Sequence, residues 1–250
     1  MSIYDIAILV IVFLVTSIVG VITGSNSLVT VPVMFIFGID EKVAIATNMF
    51  GLTFMAIGAT IPFVRKGTLD TKGLSPLVVL TIIGSAIGAA LVGVITNSGL
   101  KFIVSAAMIA VVIFTLVKPK TPETDQPPKI HRELTFVLAF VLSIYGGLFS
   151  GGYVTILTVL LIAFYGLNYA ESIASTKFLN VFSSGIATII FMWQGLVHYR
   201  LGAILAVTMF IGAYIGAHFA SKMNDRVLKW IFLSTVLLLA VKLVFDIFAR

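Results

Sequence analysis

The sequence predicts an all-α polytopic membrane protein built from two inverted repeats. Three observations support this: the composition, the long apolar segments and an internal duplication. Of the 250 residues, 60% are hydrophobic and only 10% are charged, and the mean hydropathy is +1.16. A soluble domain is nearer half apolar and a quarter charged. The composition therefore excludes a soluble enzyme, a disordered chain and a nucleic-acid-binding module. The net charge of +6 arises from residues between the apolar segments, as in membrane proteins.

Six apolar segments have the length of one transmembrane helix, about 20 residues. They span residues 43–64, 74–95, 100–117, 170–193, 201–220 and 227–248. Between the third and fourth lies a polar stretch, 118–133, with four prolines and mixed charges, which predicts an exposed linker. The first five residues carry no Lys or Arg, so we expect the N-terminus to belong to the mature protein and not to a signal peptide.

Two further apolar segments, 4–37 and 134–165, are too long for one crossing and too short for two. As a single helix, the first would extend for about 51 Å, well beyond a hydrocarbon core of about 30 Å. Small and polar residues interrupt both segments, at 23–27 and at 146–152. We predict that each is two shortened helices joined by an unwound turn. Such backbone survives in a membrane only where protein or a wet cavity surrounds it.

The two halves of the chain repeat one another. With a shift of 128 residues, positions 38–103 align on 166–231 without a gap and share 20 identities in 66 positions. We therefore expect three parts: a first repeat at 1–117, a cytoplasmic linker at 118–133 and a second repeat at 134–250. Each repeat would hold one broken-helix hairpin and three transmembrane helices.

The distribution of Lys and Arg predicts that the repeats cross the membrane in opposite directions. Three connections, near 65–72, 118–132 and 222–229, hold ten positive residues, whereas the remaining connections and the C-terminus hold four. Positive connections face the cytoplasm. The connection at 65–72 is then inside and its repeat mate, 193–200, is outside, with both termini outside. Inverted repeats with broken helices at their interface are typical of secondary transporters, although some channels share them.

Two stretches carry a family resemblance. The first copy contains Gly24-Ser25-Asn26-Ser27-Leu28-Val29-Thr30-Val31-Pro32 and then Ala46-Thr47-Asn48. The second contains Gly147-x-x-x-Gly151-Gly152 and then Ala174-Ser175-Thr176-Lys177-Phe178-Leu179-Asn180. These motifs, in this order, resemble the TauE/SafE family of sulfite exporters, also called TSUP. The first turn departs from the family, where it is often a run of glycines. The resemblance implies transport of sulfite, thiosulfate or organosulfonates, usually as export, across the inner membrane of a prokaryote.

Lys177 is the sharpest candidate for an anion-binding residue. A Lys near a helix centre costs about 2.5–3.5 kcal/mol on insertion scales, so it normally faces a cavity or a partner. Two structural alternatives are snorkelling to the surface and an ion pair with Glu171. Asn180 lies at i+3 and shares the face of Lys177.

The other candidate site residues come from both repeats. Thr47 and Asn48 are the repeat mates of Ser175 and Thr176, and an inverted axis would bring the two pairs together. The interrupted turns offer backbone N–H groups at helix N-termini, which bind anions. The candidates in these turns are Ser25, Asn26, Ser27, Gly151 and Gly152. For all of them the structural alternative is helix–helix packing through small polar residues.

Three other functions stay open: an anion channel, a carrier of a different small organic anion and an intramembrane enzyme. The sequence holds no catalytic Ser/His/Asp set, no metalloprotease or dinucleotide motif and no P-loop. We therefore predict no catalytic residue, no cofactor and no metal site. The expected partners are a small anionic substrate and the lipid bilayer, with no nucleic acid, and a homo-oligomer stays open.

Overall fold

The computed structural model describes residues 2–116 except 25 and 72, residues 132–231 except 225 and 229, and residue 234. Nearly all of the predicted linker, most of the last predicted helix and Ser25 lie outside the described residues. In the described part the regular structure is helical, without a strand, which confirms an all-α polytopic membrane fold.

Nine α-helices are described. Their bounds are α1 Ile3–Thr23, α2 Ser27–Ile36, α3 Glu41–Arg65, α4 Ser75–Val94, α5 Asn97–Leu116, α6 Arg132–Leu148, α7 Tyr153–Leu160, α8 Tyr169–Trp193 and α9 Tyr199–Ala220. A π-helical turn, Leu161–Tyr165, extends α7. Within the described part of the chain, five helices (α1, α3, α4, α8 and α9) are long and apolar enough to cross a membrane.

The two longest helices begin at equivalent positions in the two repeats. Asp40 precedes α3, and its carboxylate accepts the backbone N–H groups of Lys42 and Val43. Asn168 precedes α8 and forms a capping box with Glu171. Each cap satisfies N–H groups that have no partner in the first turn of a helix. The predicted starts at 43 and 170 are therefore too late by one or two residues.

Both predicted interruptions are present, but neither divides its segment evenly. The first member of each pair is long, 21 residues in α1 and 17 in α6, and the second is short, 10 residues in α2 and 8 in α7. The prediction of two shortened helices is therefore wrong for α1. Gly146 and Gly147, predicted to lie in the turn, are helical. A Cβ on Gly146 would clash with the Tyr153 ring, and a Cβ on Gly147 would clash with the Ser85 backbone.

Helices α3 and α8 form the centre of the bundle and pack on each other. Around them α9 packs on α1 and α3, and α4 packs on α6 and α8. Glycines allow close helix packing at both outer contacts. A Cβ on Gly88 would lie 2.7 Å from the Leu148 nitrogen of α6. A Cβ on Gly216 would lie 3.1 Å from Ile18 Cα of α1. Small residues let these backbones approach closely.

Polar contacts at the helix ends define the directions of α3 and α8. At the start of α3, Lys42 Nζ donates to Gly93 O at 2.8 Å, at the end of α4. The last turn of α8 reaches the same end of α4, since Gln194 Nε2 donates to Ala90 O at 3.5 Å. The end of α3 lies elsewhere, where Lys66 Nζ donates to Ser221 O. The two central helices therefore run in opposite directions.

Candidate functional site

A buried cavity lies where the two interrupted helices meet the central pair. It has room for about one water molecule in this conformation. Residues from both repeats line it: Gly20, Gly24, Asn26, Ser27, Leu52, Met55 and Ala56 from the first, and Ser150, Val154, Lys177 and Asn180 from the second.

The first interruption requires a glycine for two reasons. Gly24 adopts a left-handed backbone with φ of 72°, and its N–H closes the last turn of α1 on Gly20 O at 2.9 Å. A Cβ there would lie 2.7 Å from the backbone nitrogen of Thr155 in α7. Glycine meets both demands. Thr155 Oγ1 also donates to Thr23 O at 2.7 Å. The end of α1 and the start of α7 are thus held together beside the cavity.

Lys177 lies in α8 with only 3% of its surface exposed. Its Nζ donates to Gly20 O at 2.8 Å, and a cation is favourable at the C-terminal end of a helix such as α1. The side chain therefore ends inside the protein, which argues against snorkelling. Glu171 is not its partner, because that carboxylate caps the start of α8. Lys177 is the one Lys or Arg among the described residues that line the cavity.

Two buried asparagines line the cavity from opposite repeats. Asn26 Nδ2 contacts Met55 Sδ at 3.0 Å and Ser17 Oγ at 3.4 Å. Asn180, one turn beyond Lys177 on α8, lies 4% exposed. The side-chain oxygens of both asparagines are buried and have no hydrogen-bond partner among the described residues. Buried polar atoms are usually satisfied, so unpartnered oxygens on a cavity indicate a ligand or water position.

Asn48 lies behind the cavity wall and supports it. Its Nδ2 donates to Ser27 Oγ at 2.9 Å, and its Oδ1 accepts Thr30 Oγ1 at 2.8 Å. At the equivalent positions of the second repeat, Thr158 Oγ1 donates to Thr176 Oγ1 at 3.4 Å. In each repeat the short broken helix is therefore tied to the following long helix by the same pair of positions.

The other predicted residues that the structure describes do not line the cavity. Thr47 Oγ1 accepts the backbone N–H of His198 at 3.0 Å, and Ser175 is buried within α8. At the second interruption, Tyr145 donates its hydroxyl to Gly151 O, and Gly152 begins α7 with φ of 81°. Neither of these glycines lines the cavity, whose wall there is Ser150. Ser25 lies outside the described residues.

Some lining residues had no signal in the sequence that would have revealed them. Met55 is one apolar residue in an apolar helix, and Ser150 is one of several small residues in the second interruption. Gly20 could have been found, because Ser17-Ile18-x-Gly20 matches Ser143-Ile144-x-Gly146 at a shift of 126 residues. The alignment of 38–103 on 166–231 shows that the site is not symmetric. Met49 stands in the first repeat where Lys177 stands in the second.

An all-α bundle with two interrupted helices converging on a buried cation defines a multi-pass membrane protein of the transporter class. The comparisons agree. Residues 8–243 match the family described as sulfite exporter TauE/SafE, and the chain belongs to that family.

Relatives from several bacteria have similar names. A probable membrane transporter protein, ORF9, from Sinorhizobium sp. is 26% identical over 90% of this chain and 87% of its own length. One from Haemophilus influenzae is 23% identical over 96% of this chain and 94% of its own. YfcA of Escherichia coli K12, also a probable membrane transporter protein, is 24% identical over 90% and 84%. No solved structure gives a significant match.

Proposed function

We propose that this protein is a secondary transporter that moves small sulfur-containing anions, such as sulfite, thiosulfate or organosulfonates, out of the cell across the cytoplasmic membrane. The observation that supports this most strongly is Lys177. It is a buried lysine on a cavity between two interrupted helices. Its one described partner is a backbone carbonyl, so a bound anion would supply the missing opposite charge.

The cavity offers the donors that a small oxyanion needs. Lys177 has three N–H donors and uses one on Gly20 O. Ser27 accepts from Asn48 and keeps its own hydroxyl proton to donate. Ser27 also begins α2, whose N-terminal end carries partial positive charge. We propose Lys177, Asn180, Asn26 and Ser27 as the residues that contact the substrate.

The other predicted residues are given supporting or neighbouring roles in this proposal. Asn48 orients Ser27, and Thr176 makes the equivalent contact in the second repeat. Thr47 and Ser175 lie in the same turns of α3 and α8 as these supporting residues. At the second interruption Ser150 lines the cavity, and Gly151 and Gly152 follow it along the chain as neighbouring residues.

Alternating access is part of this proposal and rests on inverted repeats at 1–117 and 134–250. It is supported by the opposite directions of α3 and α8. It is also supported by the equivalent contacts of Thr30 with Asn48 and of Thr158 with Thr176. The cavity is nearly closed here, so the short helices α2 and α7 would have to move to admit a substrate. These helices pack less extensively than the central pair.

Transport in proteoliposomes tests the function against an anion channel. We expect saturable uptake of labelled ethanesulfonate or sulfite, accelerated by unlabelled substrate inside the vesicle. A channel would give flux without this counterflow. Competition by carboxylates as strong as that by sulfonates would favour a carrier of a different organic anion. Chemical conversion of the anion would favour the alternative of an intramembrane enzyme.

Single-residue variants test where the site lies. Asn180→Ala should weaken anion binding by about tenfold to a hundredfold, the size of a hydrogen bond to a charged group. Asn48→Ala should weaken binding less and also lower thermal stability, because it leaves Ser27 and Thr30 without their buried partner. Asn97→Ala, at the start of α5, is the matched control and should leave affinity unchanged. Normal affinity in Asn180→Ala would place the site elsewhere.

A further inference from the structure

Among the described residues, the buried side-chain oxygen of Asn26 is a hydrogen-bond acceptor without a donor. The residue is 5% exposed, lines the cavity, and its Oδ1 has no partner among the described residues. The amide orientation follows from its neighbour Met55, whose sulfur lies 3.0 Å from Asn26 Nδ2. A thioether has no hydrogen to donate, so the amide nitrogen must face it. The oxygen is therefore the end left unsatisfied.

An anion made only of acceptor atoms does not complement this surface. Its oxygens would be satisfied by Lys177 and Ser27, but the oxygen of Asn26, whose amide orientation Met55 fixes, would still lack a donor. A buried acceptor left without a partner is unfavourable, and a second acceptor placed against it is more so. The missing group is a donor. Water can supply it while no ligand is bound, but a ligand that takes the place of that water has to bring a donor of its own.

The charge of the lining sets a second constraint. Lys177 supplies the single formal charge among the described residues that line the cavity. One cation balances a monoanion, whereas a dianion would leave an excess negative charge in surroundings of low dielectric constant. The cavity is therefore suited to one negative charge.

We propose that the cavity selects a monoanion that carries its own hydrogen-bond donor, and that this donor binds Asn26 Oδ1. Hydrogen sulfite and hydroxylated sulfonates are such anions. The inference rests on the proposed function, because it takes Lys177 as the group that receives the anionic oxygens. Within that function it assigns Asn26 the discrimination between related substrates.

Calorimetric titration of the purified full-length protein in detergent tests this with ligands that differ by one group. 2-Hydroxyethanesulfonate and ethanesulfonate are both monoanions, and only the first has a hydroxyl donor. We expect the hydroxylated compound to bind about tenfold tighter, which corresponds to one well-formed hydrogen bond. Ethane-1,2-disulfonate, a dianion, should bind more weakly than either compound.

Asn26→Leu provides the variant test. Leucine keeps the branching of asparagine but has no acceptor. It also lacks the amide nitrogen that contacts Ser17 and Met55, so thermal unfolding of the variant is measured in parallel. The preference for the hydroxylated sulfonate should disappear, so that 2-hydroxyethanesulfonate and ethanesulfonate bind the variant with equal affinity. Ser172→Ala is the matched control, because Ser172 has a buried unpartnered hydroxyl on α8 away from the cavity. It should retain the preference.

The outcomes separate this inference from the proposed function. Equal binding of the two monosulfonates by the wild-type protein would overturn the donor preference and leave the transporter intact, and that comparison needs no variant. Absence of binding by any sulfur anion would overturn both. If sodium raised the affinity for ethanesulfonate to that for the hydroxylated compound, Asn26 Oδ1 would serve a cation instead, and the inference would be wrong.

Discussion

Replacing Lys177 by methionine removes a single positive charge and keeps a long unbranched side chain. If Lys177 is the counter-charge of the substrate, the bound anion loses its partner inside the protein. The lysine is 3% exposed, so its interaction with an anion is not that of a surface ion pair, which is worth about 0–1 kcal/mol. Removing one member of a buried, hydrogen-bonded charge pair costs about 2–5 kcal/mol. We therefore expect affinity to fall about 30-fold to several thousand-fold.

The fold should tolerate this change. Gly20 O loses the lysine but still accepts the N–H of Gly24 at 2.9 Å, so the carbonyl is not left without a donor. Methionine is also cheaper than lysine to place within a membrane. The melting temperature of Lys177→Met should therefore match or exceed that of the wild-type protein. Lys177→Arg keeps the charge but changes its shape, and its affinity should be intermediate.

The assay is titration of the purified variants with sulfite or a sulfonate, with thermal unfolding measured in parallel. Lys101→Met is the control. That lysine forms an ion pair with Glu41 at 2.6 Å, its side chain is 61% exposed, and it lies away from the cavity. The Lys101→Met protein should bind anions with wild-type affinity. A stable Lys177→Met protein with wild-type affinity would refute the assignment of Lys177 as the anion-binding residue.

Two other predictions concern topology and packing. Cysteines introduced at Ser98 and at Thr124, in a chain without natural cysteine, should react with impermeant reagents from opposite sides of the membrane; labelling of both from one side would contradict the inverted arrangement. Gly88→Ala should destabilise the protein by about 1–3 kcal/mol, because the new Cβ meets the backbone of α6. Gly185→Ala, whose nearest neighbour would be Thr53 Cγ2 at 3.9 Å, should be neutral or slightly stabilising in the same thermal unfolding experiment.

The helices could be predicted well because a membrane fixes their length and composition. The predicted segment 43–64 corresponds to the helix Glu41–Arg65, and the predicted segment 201–220 corresponds to the helix Tyr199–Ala220. The interruptions were detectable because small polar residues stand out within apolar segments. Their limits were not, since Gly146 and Gly147 are helical and instead allow the close approach of Tyr153 and Ser85. Such contacts depend on packing that no local pattern records.

The candidate site could be predicted only where a single residue is energetically costly to place within the membrane. A lysine within an apolar segment needs an explanation, and Asn180 follows it by one helical turn. Thr47 looked equivalent to Asn48, but adjacent residues on a helix face different neighbours. Thr47 contacts His198, whereas Asn48 supports Ser27. Met55 lines the cavity because it packs against Asn26, and this contact is visible only in the folded chain.

The occurrence of Lys177 in one repeat and Met49 at the matching position of the other has a consequence for stoichiometry. A dimer of two identical single-repeat chains would place every side chain twice about its axis, including any cation. A single chain that carries both copies can vary them independently. Here it keeps one lysine, with an apolar residue at the mirrored position. The proposed transporter would thus have one such lysine per polypeptide, and the number of anions that it carries in each cycle would depend on how the two halves of one chain differ.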